Sequence, residues 1–226
     1  MLVQIPQVLT VAQVSEFRQA LEGADWADGK GSAGYLSRRV KENRQLPDTH
    51  PLAVQLGKQI LEALHNSPLF TTAALPAKIL PPLFNSYSGD EHYGRHVDGA
   101  IRPVTGTHHR IRTDLSATIF LSDPQDYDGG ELQIEDTYGV RRVKLPAGSM
   151  VLYPGTSVHK VTAVTRGRRL ASFFWIQSMV REDHKRLMLF ELDRAIQQVS
   201  AENPDSEAVT DLAGVYHNLL RLWADV

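Results

Sequence analysis

Between residues 78 and 178 the chain repeats one pattern, in which a short run of β-forming residues is followed by a cluster of turn residues. Apolar and polar residues alternate within the runs, as Leu132 and Ile134 do against Gln133 and Glu135. Many short strands separated by close turns are typical of a sandwich or a barrel-like jelly roll. The runs are LSATIFL, GELQIED, RRVKL, SMVLYP, HKVTAV and RLASFFWIQSMV, and the turn clusters are Ser122-Asp123-Pro124, Asp128-Gly129-Gly130, Pro146-Ala147-Gly148 and Arg166-Gly167.

Two helical patterns precede this β-rich region. Thr10 and Gln13 fit a capping box, with Leu9 and Val14 as the hydrophobic staple around it. A second helix is predicted to begin near Pro51 and to end before Asn66-Ser67-Pro68. The polar stretch 28–50 between them is interpreted as a long loop or a loosely ended strand. The apolar stripes of the two helices are Val11, Val14, Phe17 and Leu21 in the first and Leu56, Ile60 and Leu64 in the second.

Helical periodicity returns after residue 180 and is interrupted at Asn203-Pro204-Asp205. We therefore predict an α+β fold, with a double-stranded β-helix (jelly roll) at residues 78–178, N-terminal helices at 1–77 packed on it, and a helical extension at 179–226. The C-terminal stripes are Met188, Leu192, Ala195 and Val199, then Leu212, Val215, Leu219 and Leu222. The last helix, with Trp223, is expected to pack on the barrel or to form a homo-oligomer contact.

Composition restricts the chemistry that the chain can carry out. Its 226 residues include no cysteine, which excludes disulfides, thiolate zinc sites, iron–sulfur clusters and cysteine nucleophiles. A net charge of -2 argues against nucleic acid as a partner. The N-terminus does not resemble a signal peptide, and no apolar run is long enough to span a bilayer. We therefore expect a cytoplasmic protein without a membrane partner.

The segment YGRHVDGA contains a candidate metal site. On an extended strand His96 and Asp98 would project from the same face, with one nitrogen and one oxygen donor side by side. His159 follows a predicted strand and its Pro-Gly turn, and early and late strands of a jelly roll can be neighbours. Two histidines and one carboxylate suit the facial site of non-haem iron(II) oxygenases.

Arg169 lies ten residues after His159 and opens the apolar run RRLASFFWIQ. An arginine that points into a small barrel is costly unless it meets an anion, and a guanidinium suits a carboxylate. Taken singly, each feature has a simpler interpretation: a chance His-X-Asp, a histidine at a strand end and a hairpin arginine. Their joint order over a predicted β core favours an iron site with a carboxylate clamp.

The three segments that carry these residues resemble the iron(II)/2-oxoglutarate-dependent dioxygenases, specifically the bacterial PKHD-type (prolyl/lysyl hydroxylase-domain) hydroxylases. The resemblance implies that His96, Asp98 and His159 bind iron and act in catalysis, and that Arg169 binds the distal carboxylate of 2-oxoglutarate. It also places Tyr87 near the co-substrate and implies dependence on ascorbate. The segments are FNSYSGDEHYGRHVDGAIR, RTDLSATIFLSDPQDYDGGELQIEDTYG and VKLPAGSMVLYPGTSVHKVTAVTRGRRLASFFWIQS.

The reaction implied by the resemblance consumes 2-oxoglutarate and O2, releases succinate and CO2, and hydroxylates a substrate C–H bond. The substrate stays open between peptidyl proline or lysine and a small molecule. A non-enzymatic sensor of iron or 2-oxoglutarate and a zinc or manganese cupin-like isomerase are the alternatives. A basic segment after the iron pair is interpreted as a solvated loop, with a mobile lid for an anionic substrate as the alternative; it contains Arg102, His108, His109, Arg110 and Arg112.

Overall fold

The computed structural model describes residues 1–225, which form five α-helices and seventeen β-strands. The helices are α1 (Val11–Glu22), α2 (Pro51–His65), α3 (Pro68–Ala74), α4 (Asp183–Glu202) and α5 (Glu207–Trp223). The first nine strands are β1 (Val3–Ile5), β2 (Ala27–Asp28), β3 (Lys41–Glu42), β4 (Arg44–Gln45), β5 (Pro76–Ile79), β6 (Leu83–Tyr87), β7 (His92–His96), β8 (Ile101–Pro103) and β9 (Arg110–Arg112). The others are β10 (Leu115–Phe120), β11 (Tyr127–Gly129), β12 (Leu132–Asp136), β13 (Gly139–Val143), β14 (Met150–Pro154), β15 (His159–Val161), β16 (Val164–Gly167) and β17 (Arg169–Ser178).

Two antiparallel sheets face each other and confirm the predicted jelly-roll core. The larger sheet has the order β1-β14-β10-β17-β6-β4-β2, with β5 also paired to β17. The smaller sheet has the order β13-β12-β15-β7-β3. Two further ribbons, β11–β16 and β8–β9, lie outside these sheets. Since β7 and β15 are neighbours, a segment near residue 96 meets one near residue 159.

Strand alternation in the larger sheet separates two cores. On β10 the odd-numbered Leu115, Ala117 and Ile119 join the helices α1 and α2 in one apolar cluster. Phe120 belongs to a second cluster, which fills the space between the sheets together with Tyr87 and Tyr127. The period-2 pattern of the strands therefore directs one set of side chains to the helices and the other into the barrel.

The N-terminal helix follows its sequence signals except at one residue. The capping box is present, with Thr10 Oγ1 accepting from the Gln13 amide at 3.2 Å and Gln13 Oε1 accepting from the Thr10 amide at 2.9 Å. Phe17 and Leu21 are fully buried, but Val11 is 86% exposed, so its place in the buried stripe was wrong. Val11 lies roughly a quarter turn away from the centre of the buried face.

The region around α2 contains one helix more than predicted. Helix α2 begins at Pro51 and buries Leu56, Ile60 and Leu64, as predicted. The Ser67-Pro68 pair was interpreted only as a stop signal, whereas Ser67 caps a new helix by accepting from the Phe70 amide at 3.3 Å. Proline at the first helical position and serine before it are in fact a start signal.

The polar stretch 28–50 supplies short strands rather than a free loop. Strand β3 pairs with β7 and β4 pairs with β6, so this stretch joins both sheets. The division at residue 77 stays a prediction; within the first 77 residues, strands β1, β3 and β4 all pair with strands of the β-rich region. These pairings place residue 41 beside the barrel interior.

The C-terminal helices confirm the predicted extension, but the stripe on α4 was wrong. Met188 is 52% exposed, whereas Leu189 and Phe190 are buried. Helix α4 packs against both α3 and α5, and the face toward α3 lies well over a quarter turn from the predicted stripe. On α5, Leu219 and Trp223 pack against the cluster of Leu75, Val180 and Leu189, while Val215 and Leu222 are exposed. Among residues 1–225, no helix combines the length and apolarity needed to cross a bilayer.

Candidate active site

Three potential metal ligands meet inside the open end of the barrel. His96 ends β7, His159 begins β15, and the two residues are Cα partners in the β7–β15 pairing. Asp98 lies in the loop directly after β7, so the strand that was predicted to carry both residues ends at His96. One ligand atom from each of the three side chains lies within 4.8 Å of the others. The arrangement suits a single metal ion with N, N and O donors.

Backbone carbonyls orient both imidazoles toward this point. His96 Nδ1 lies 2.8 Å from the Gly94 carbonyl oxygen, and His159 Nδ1 lies 3.0 Å from that of Ser157. A carbonyl oxygen only accepts, so each Nδ1 carries a proton and Nε2 is the ring nitrogen that faces the carboxylate. The Nε2 atoms of His96 and His159 lie 3.9 and 3.8 Å from the Asp98 carboxylate oxygens. This second layer of hydrogen bonds is what metal-binding histidines usually have.

A serine of the opposite sheet holds the carboxylate. Ser116, on β10, donates its hydroxyl to Asp98 Oδ2 at 2.7 Å. The bond links a loop at the edge of the smaller sheet to the larger sheet. Asp98 Oδ1 accepts no hydrogen bond from the described residues, so it is available to a cation.

The protonation state of His96 suits metal binding. Burial, followed by the neighbouring His159, lowers the pKa of His96 to about 4. The Tyr93 ring stacks on the His96 ring at a centroid distance of 3.6 Å and contributes to this burial. At neutral pH His96 is therefore uncharged, which is the form that coordinates a metal.

A cavity with about 570 Å³ of empty space, its open mouth included, extends from this cluster into the barrel. Its walls combine aromatic and aliphatic side chains with an equal number of polar or charged ones. Arg169, Phe173 and Trp175 share one face of β17, and all three line the cavity. The remaining walls include Ser32, Lys41, Asn85, Tyr87, Thr118, Leu132, Tyr153 and Val161.

Arg169 is a buried cation without a counter-ion. Its side chain is 1% exposed, its Nε has no hydrogen-bond partner, and no described carboxylate lies within ion-pair distance. The guanidinium lies 5.3 Å from the ring centroids of both Tyr87 and Phe120. An isolated buried charge is strongly unfavourable, so this position requires an anion that the chain itself does not supply.

Neighbouring polar groups fit a dicarboxylate at this end of the cavity. Tyr87 pairs with Arg169 in the β6–β17 register, which puts the predicted co-substrate tyrosine directly beside the arginine. Burial raises the pKa of Tyr87 to about 12, so its phenol is neutral and can donate. Asn85 Oδ1 and the Tyr127 hydroxyl are also buried without partners. Such orphaned groups accord with a polar ligand bound between them.

The basic segment after Asp98 has a mixed structure. Strands β8 and β9 form a hairpin, in which Arg112 makes a bidentate pair with Asp114 at 2.6 and 3.0 Å. Arg102 packs against Trp175, whereas His108, His109 and Arg110 are exposed. The lid interpretation stays a prediction. Arg112 is held by its ion pair with Asp114, whereas the exposed Arg110 could contact a ligand.

Two residues of the site were missed from the sequence. Ser116 lies in the apolar run LSATIFL, where a small polar residue on the inward face was the available signal. Lys41 sits in a polar stretch without a recognisable pattern, and only the β3–β7 pairing brings it to the cavity.

Fold and site together define a 2OG-Fe(II) oxygenase. The model of the 2OG-Fe(II) oxygenase superfamily matches residues 82–177, and that of the PKHD-type hydroxylase C-terminal domain matches residues 183–225. A PKHD-type hydroxylase of Bordetella pertussis is 59% identical, and the PKHD-type hydroxylase PiuC of Pseudomonas aeruginosa is 57% identical, each over the full length of both chains. The chain belongs to the PKHD-type hydroxylases.

Solved structures show the same fold. A prolyl-4-hydroxylase of Pseudomonas putida has a TM-score of 0.53 and 18% identity, covering 78% of this chain and 92% of its own. HygX of Streptomyces hygroscopicus, with nickel, 2-oxoglutarate and hygromycin B bound, has a TM-score of 0.54 and 17% identity, covering 80% and 84%. Family and fold confirm the predicted reaction class: the protein is an iron(II)- and 2-oxoglutarate-dependent dioxygenase that hydroxylates its substrate. The sensor and isomerase alternatives are thereby set aside.

Proposed function

We propose that His96, Asp98 and His159 hold the iron and that Arg169, assisted by Tyr87, binds the distal carboxylate of 2-oxoglutarate. The observation that carries this proposal is the unpaired guanidinium of Arg169, buried in the same cavity as a cluster of two histidines and one carboxylate. A dicarboxylate that reached from one to the other would satisfy both ends of the cavity.

Each side chain contributes a separate function in this proposal. His96 and His159 present Nε2 lone pairs, and Asp98 presents an anionic oxygen that a cation keeps ionised. Three protein ligands leave other coordination positions free for co-substrate and oxygen. Iron(II) and 2-oxoglutarate, when bound, supply the oxidising chemistry, and the protein supplies binding, orientation and exclusion of water. The apolar walls formed by Leu132, Val161 and Phe173 serve that last purpose.

The substrate class remains part of the proposal. Peptidyl proline or lysine and a small molecule are both compatible with the cavity, and the two structural neighbours include a prolyl-4-hydroxylase and a complex with hygromycin B. Consumption of 2-oxoglutarate with and without candidate substrates, followed by mass spectrometry for a gain of one oxygen atom, would identify it.

Ascorbate, cellular location and oligomeric state are further elements of the proposal. We propose ascorbate as a reductant that keeps the iron in its ferrous form, and the cytoplasm as a compartment reducing enough for that form. A second copy of the chain is proposed as a partner of α4 and α5, where Met188, Val215 and Leu222 are exposed. Activity with and without ascorbate and sedimentation analysis of Leu222→Glu test the first and last of these.

The test of the site needs no substrate. Iron(II) and 2-oxoglutarate are added to the metal-free protein without oxygen, and the weak visible charge-transfer band of chelated 2-oxoglutarate is recorded. We expect a band that weakens in Arg169→Ala and vanishes in His159→Ala. His92→Ala is the matched control, because His92 begins the same strand as His96 but its side chain is 40% exposed. Bound metal without a band in the unmodified protein would contradict the proposal.

A further inference from the structure

A second buried cation lies beside the metal cluster. Lys41, on β3, is 2% exposed and lines the same cavity. Its ammonium donates to Ser32 Oγ at 2.8 Å and to Gln45 Oε1 at 3.1 Å, and lies 5.1 Å from the centroid of the Tyr93 ring that stacks on His96. An ammonium has three N–H donors, so one of them remains after these two bonds.

A third cation meets Lys41 at the same serine. Arg102, on β8, donates from Nη2 to the Ser32 carbonyl oxygen at 3.0 Å. Its guanidinium lies 3.8 Å from the centroid of Trp175, and Ser32 and Trp175 both line the cavity. Trp175 covers one face of the guanidinium and leaves its edge free, and the N–H groups at this edge are the ones that bind a planar or tetrahedral oxyanion.

Neither cation has a carboxylate partner. Within residues 1–225, Lys41 and Arg102 form no ion pair, and Asp98 is the one carboxylate that lines the cavity. Asp98 acts on both cations, and the exposed Asp28 on Lys41, but only from beyond ion-pair distance. Neutral acceptors such as Ser32 and Gln45 satisfy hydrogen bonds but do not offset charge. Two like charges held together in a partly buried site are unfavourable without an anion.

When iron(II) and 2-oxoglutarate are bound as in the proposed function, the positive charges of the site exceed its negative charges by those of Lys41 and Arg102. In total charge, iron(II) and Arg169 balance Asp98 and the two carboxylates of 2-oxoglutarate. The charges of Lys41 and Arg102, on which Asp98 acts only from beyond ion-pair distance, then remain in excess. An anion at this position would have to come with the substrate.

We infer that Lys41 and Arg102 bind an oxyanion of the substrate, such as a carboxylate, sulfate or phosphate group, next to the carbon that is hydroxylated. This inference rests on the proposed function and narrows its substrate class from any peptide or small molecule to an acidic one. The oxyanion would lie against the edge of Arg102 and the free N–H of Lys41, on the side of the metal cluster away from Arg169.

Sulfate is the probe, since it presents the oxyanion without the rest of a substrate. It is titrated into the anaerobic complex with iron(II) and 2-oxoglutarate while the visible band is followed. We expect a saturable change of the band, with the half-saturating sulfate concentration raised at least tenfold in Lys41→Met and in Arg102→Met. Arg102→Lys, which keeps the charge, should recover part of this loss. Lys160→Met is the matched control, an exposed lysine on β15 of the smaller sheet, and should titrate like the unmodified protein.

The outcomes separate this inference from the proposed function. A band that does not respond to sulfate, or that responds in both methionine variants as it does in the unmodified protein, overturns the inference and leaves the iron site intact. A tenfold loss of 2-oxoglutarate affinity in Lys41→Met would place Lys41 in the co-substrate site instead and would also overturn it. Absence of the band in the unmodified protein defeats the proposed function itself. Thermal unfolding of each variant verifies that it is folded, and Arg102, which is only partly buried, provides the less disruptive of the two substitutions.

Discussion

Individual side chains in the site are held by neighbours that determine their direction and charge. Asp98 is the clearest case, because its Oδ2 accepts from Ser116 and its Oδ1 faces His96. The two histidines are fixed in the same way by the Gly94 and Ser157 carbonyls. A site arranged before the metal arrives loses little entropy on binding it, so the supporting residues affect affinity without touching the ion.

Asp98→Ala is expected to lower iron(II) affinity by at least about 100-fold and to abolish turnover, because it removes the only anionic ligand of the cluster. The fold should survive, since the side chain lies in a loop. Anaerobic titration calorimetry measures the affinity and circular dichroism the fold. Ser116→Ala is the graded companion and should cost roughly 10-fold through lost orientation. Normal turnover of Asp98→Ala would rule out the assignment.

Arg169→Met is expected to separate function from stability. The KM for 2-oxoglutarate should rise by roughly 100-fold, because a charge-assisted bidentate contact is lost. The free energy of unfolding of the metal-free protein should stay the same or increase, since an unpaired buried charge is removed. Urea unfolding and steady-state kinetics measure the two effects. Arg168→Met, its half-buried neighbour that donates to Ser86, serves as control for the loss of an arginine from this hairpin.

Lys41 should give the protein an unusual stability profile at alkaline pH. Burial, then the charge of Arg102, lowers the pKa of Lys41 to about 8 from 10.5 in the unfolded chain. Below pH 8 Lys41 is protonated in both the folded and the unfolded protein, and the folded protein bears the full free-energy cost of burying the charged ammonium. Between pH 8 and 10.5 the folded protein loses this proton first, so the penalty disappears and stability rises by roughly 2–3 kcal/mol.

The comparison of the unmodified protein with Lys41→Met isolates this effect from other titrating groups. Urea unfolding at several pH values from 7 to 10.5 should show the variant to be more stable at pH 7, with the difference closing as the pH rises. If the difference in unfolding free energy between the two proteins does not change with pH, the pKa of Lys41 is not lowered in the folded state.

At the scale of secondary-structure elements, strand β17 links the helical support to the site. Its odd-numbered residues Arg169, Phe173 and Trp175 line the cavity, while Leu170 and Ile176 join the cluster under α1 and α2; Phe174 contacts both. Alternation along one strand therefore makes the same element responsible for core packing and for ligand binding. Helix α1 contributes only to the first of these, because its buried residues face away from the cavity.

Thr10→Ala should accordingly affect stability and leave the chemistry unchanged. Loss of the Thr10 hydroxyl at α1 is expected to cost about 1 kcal/mol of unfolding free energy, because the Gln13 amide loses its hydrogen-bond acceptor. The KM for 2-oxoglutarate should not change. Thr10→Ser, which keeps the hydroxyl, should behave like the unmodified protein in chemical unfolding. A change in KM with Thr10→Ala would indicate that the outer helices influence the site.

For the molecule as a whole, the site spans the two sheets. His96 and His159 belong to the smaller sheet, whereas Ser116, Tyr87 and Arg169 belong to the larger one. In the described structure two hydrogen bonds link the sheets at the site, from Ser116 to Asp98 and from Lys41 to Gln45. A ligand that contacted both the metal cluster and Arg169 would add a further link between the sheets.

Ligands should therefore stabilise the whole domain. With bound iron(II), 2-oxoglutarate at about 100 times its Kd should raise the Tm by roughly 5–10 °C, through preferential binding to the folded state. Anaerobic thermal unfolding with metal alone and with metal plus 2-oxoglutarate measures the difference. In Arg169→Met the same 2-oxoglutarate concentration should produce little shift. An equal rise in that variant would show that the arginine is not part of the binding site.

Several features of the fold and of the site follow from sequence pattern alone. The turn clusters and alternating runs predicted the jelly roll, and the order of His96, Asp98, His159 and Arg169 predicted a set of side chains that the structure brings to one cavity. The capping box at Thr10 also followed directly from neighbouring residues. The strands, turns and capping box are encoded within a few residues of one another, where sterics and hydrogen bonding allow few alternatives, whereas the site residues were recognised from their order along the chain.

The distant residues that complete the site are brought together by the tertiary structure. Lys41, Arg102 and Ser116 come from three separate segments, and their convergence depends on the pairing of β3 with β7 and on the packing of the β8–β9 hairpin against Trp175. The buried face of α4 likewise depended on its contact with α3. The register between distant strands and the rotation of a helix on its neighbours arise from packing of the whole chain, so no short stretch of sequence specifies them.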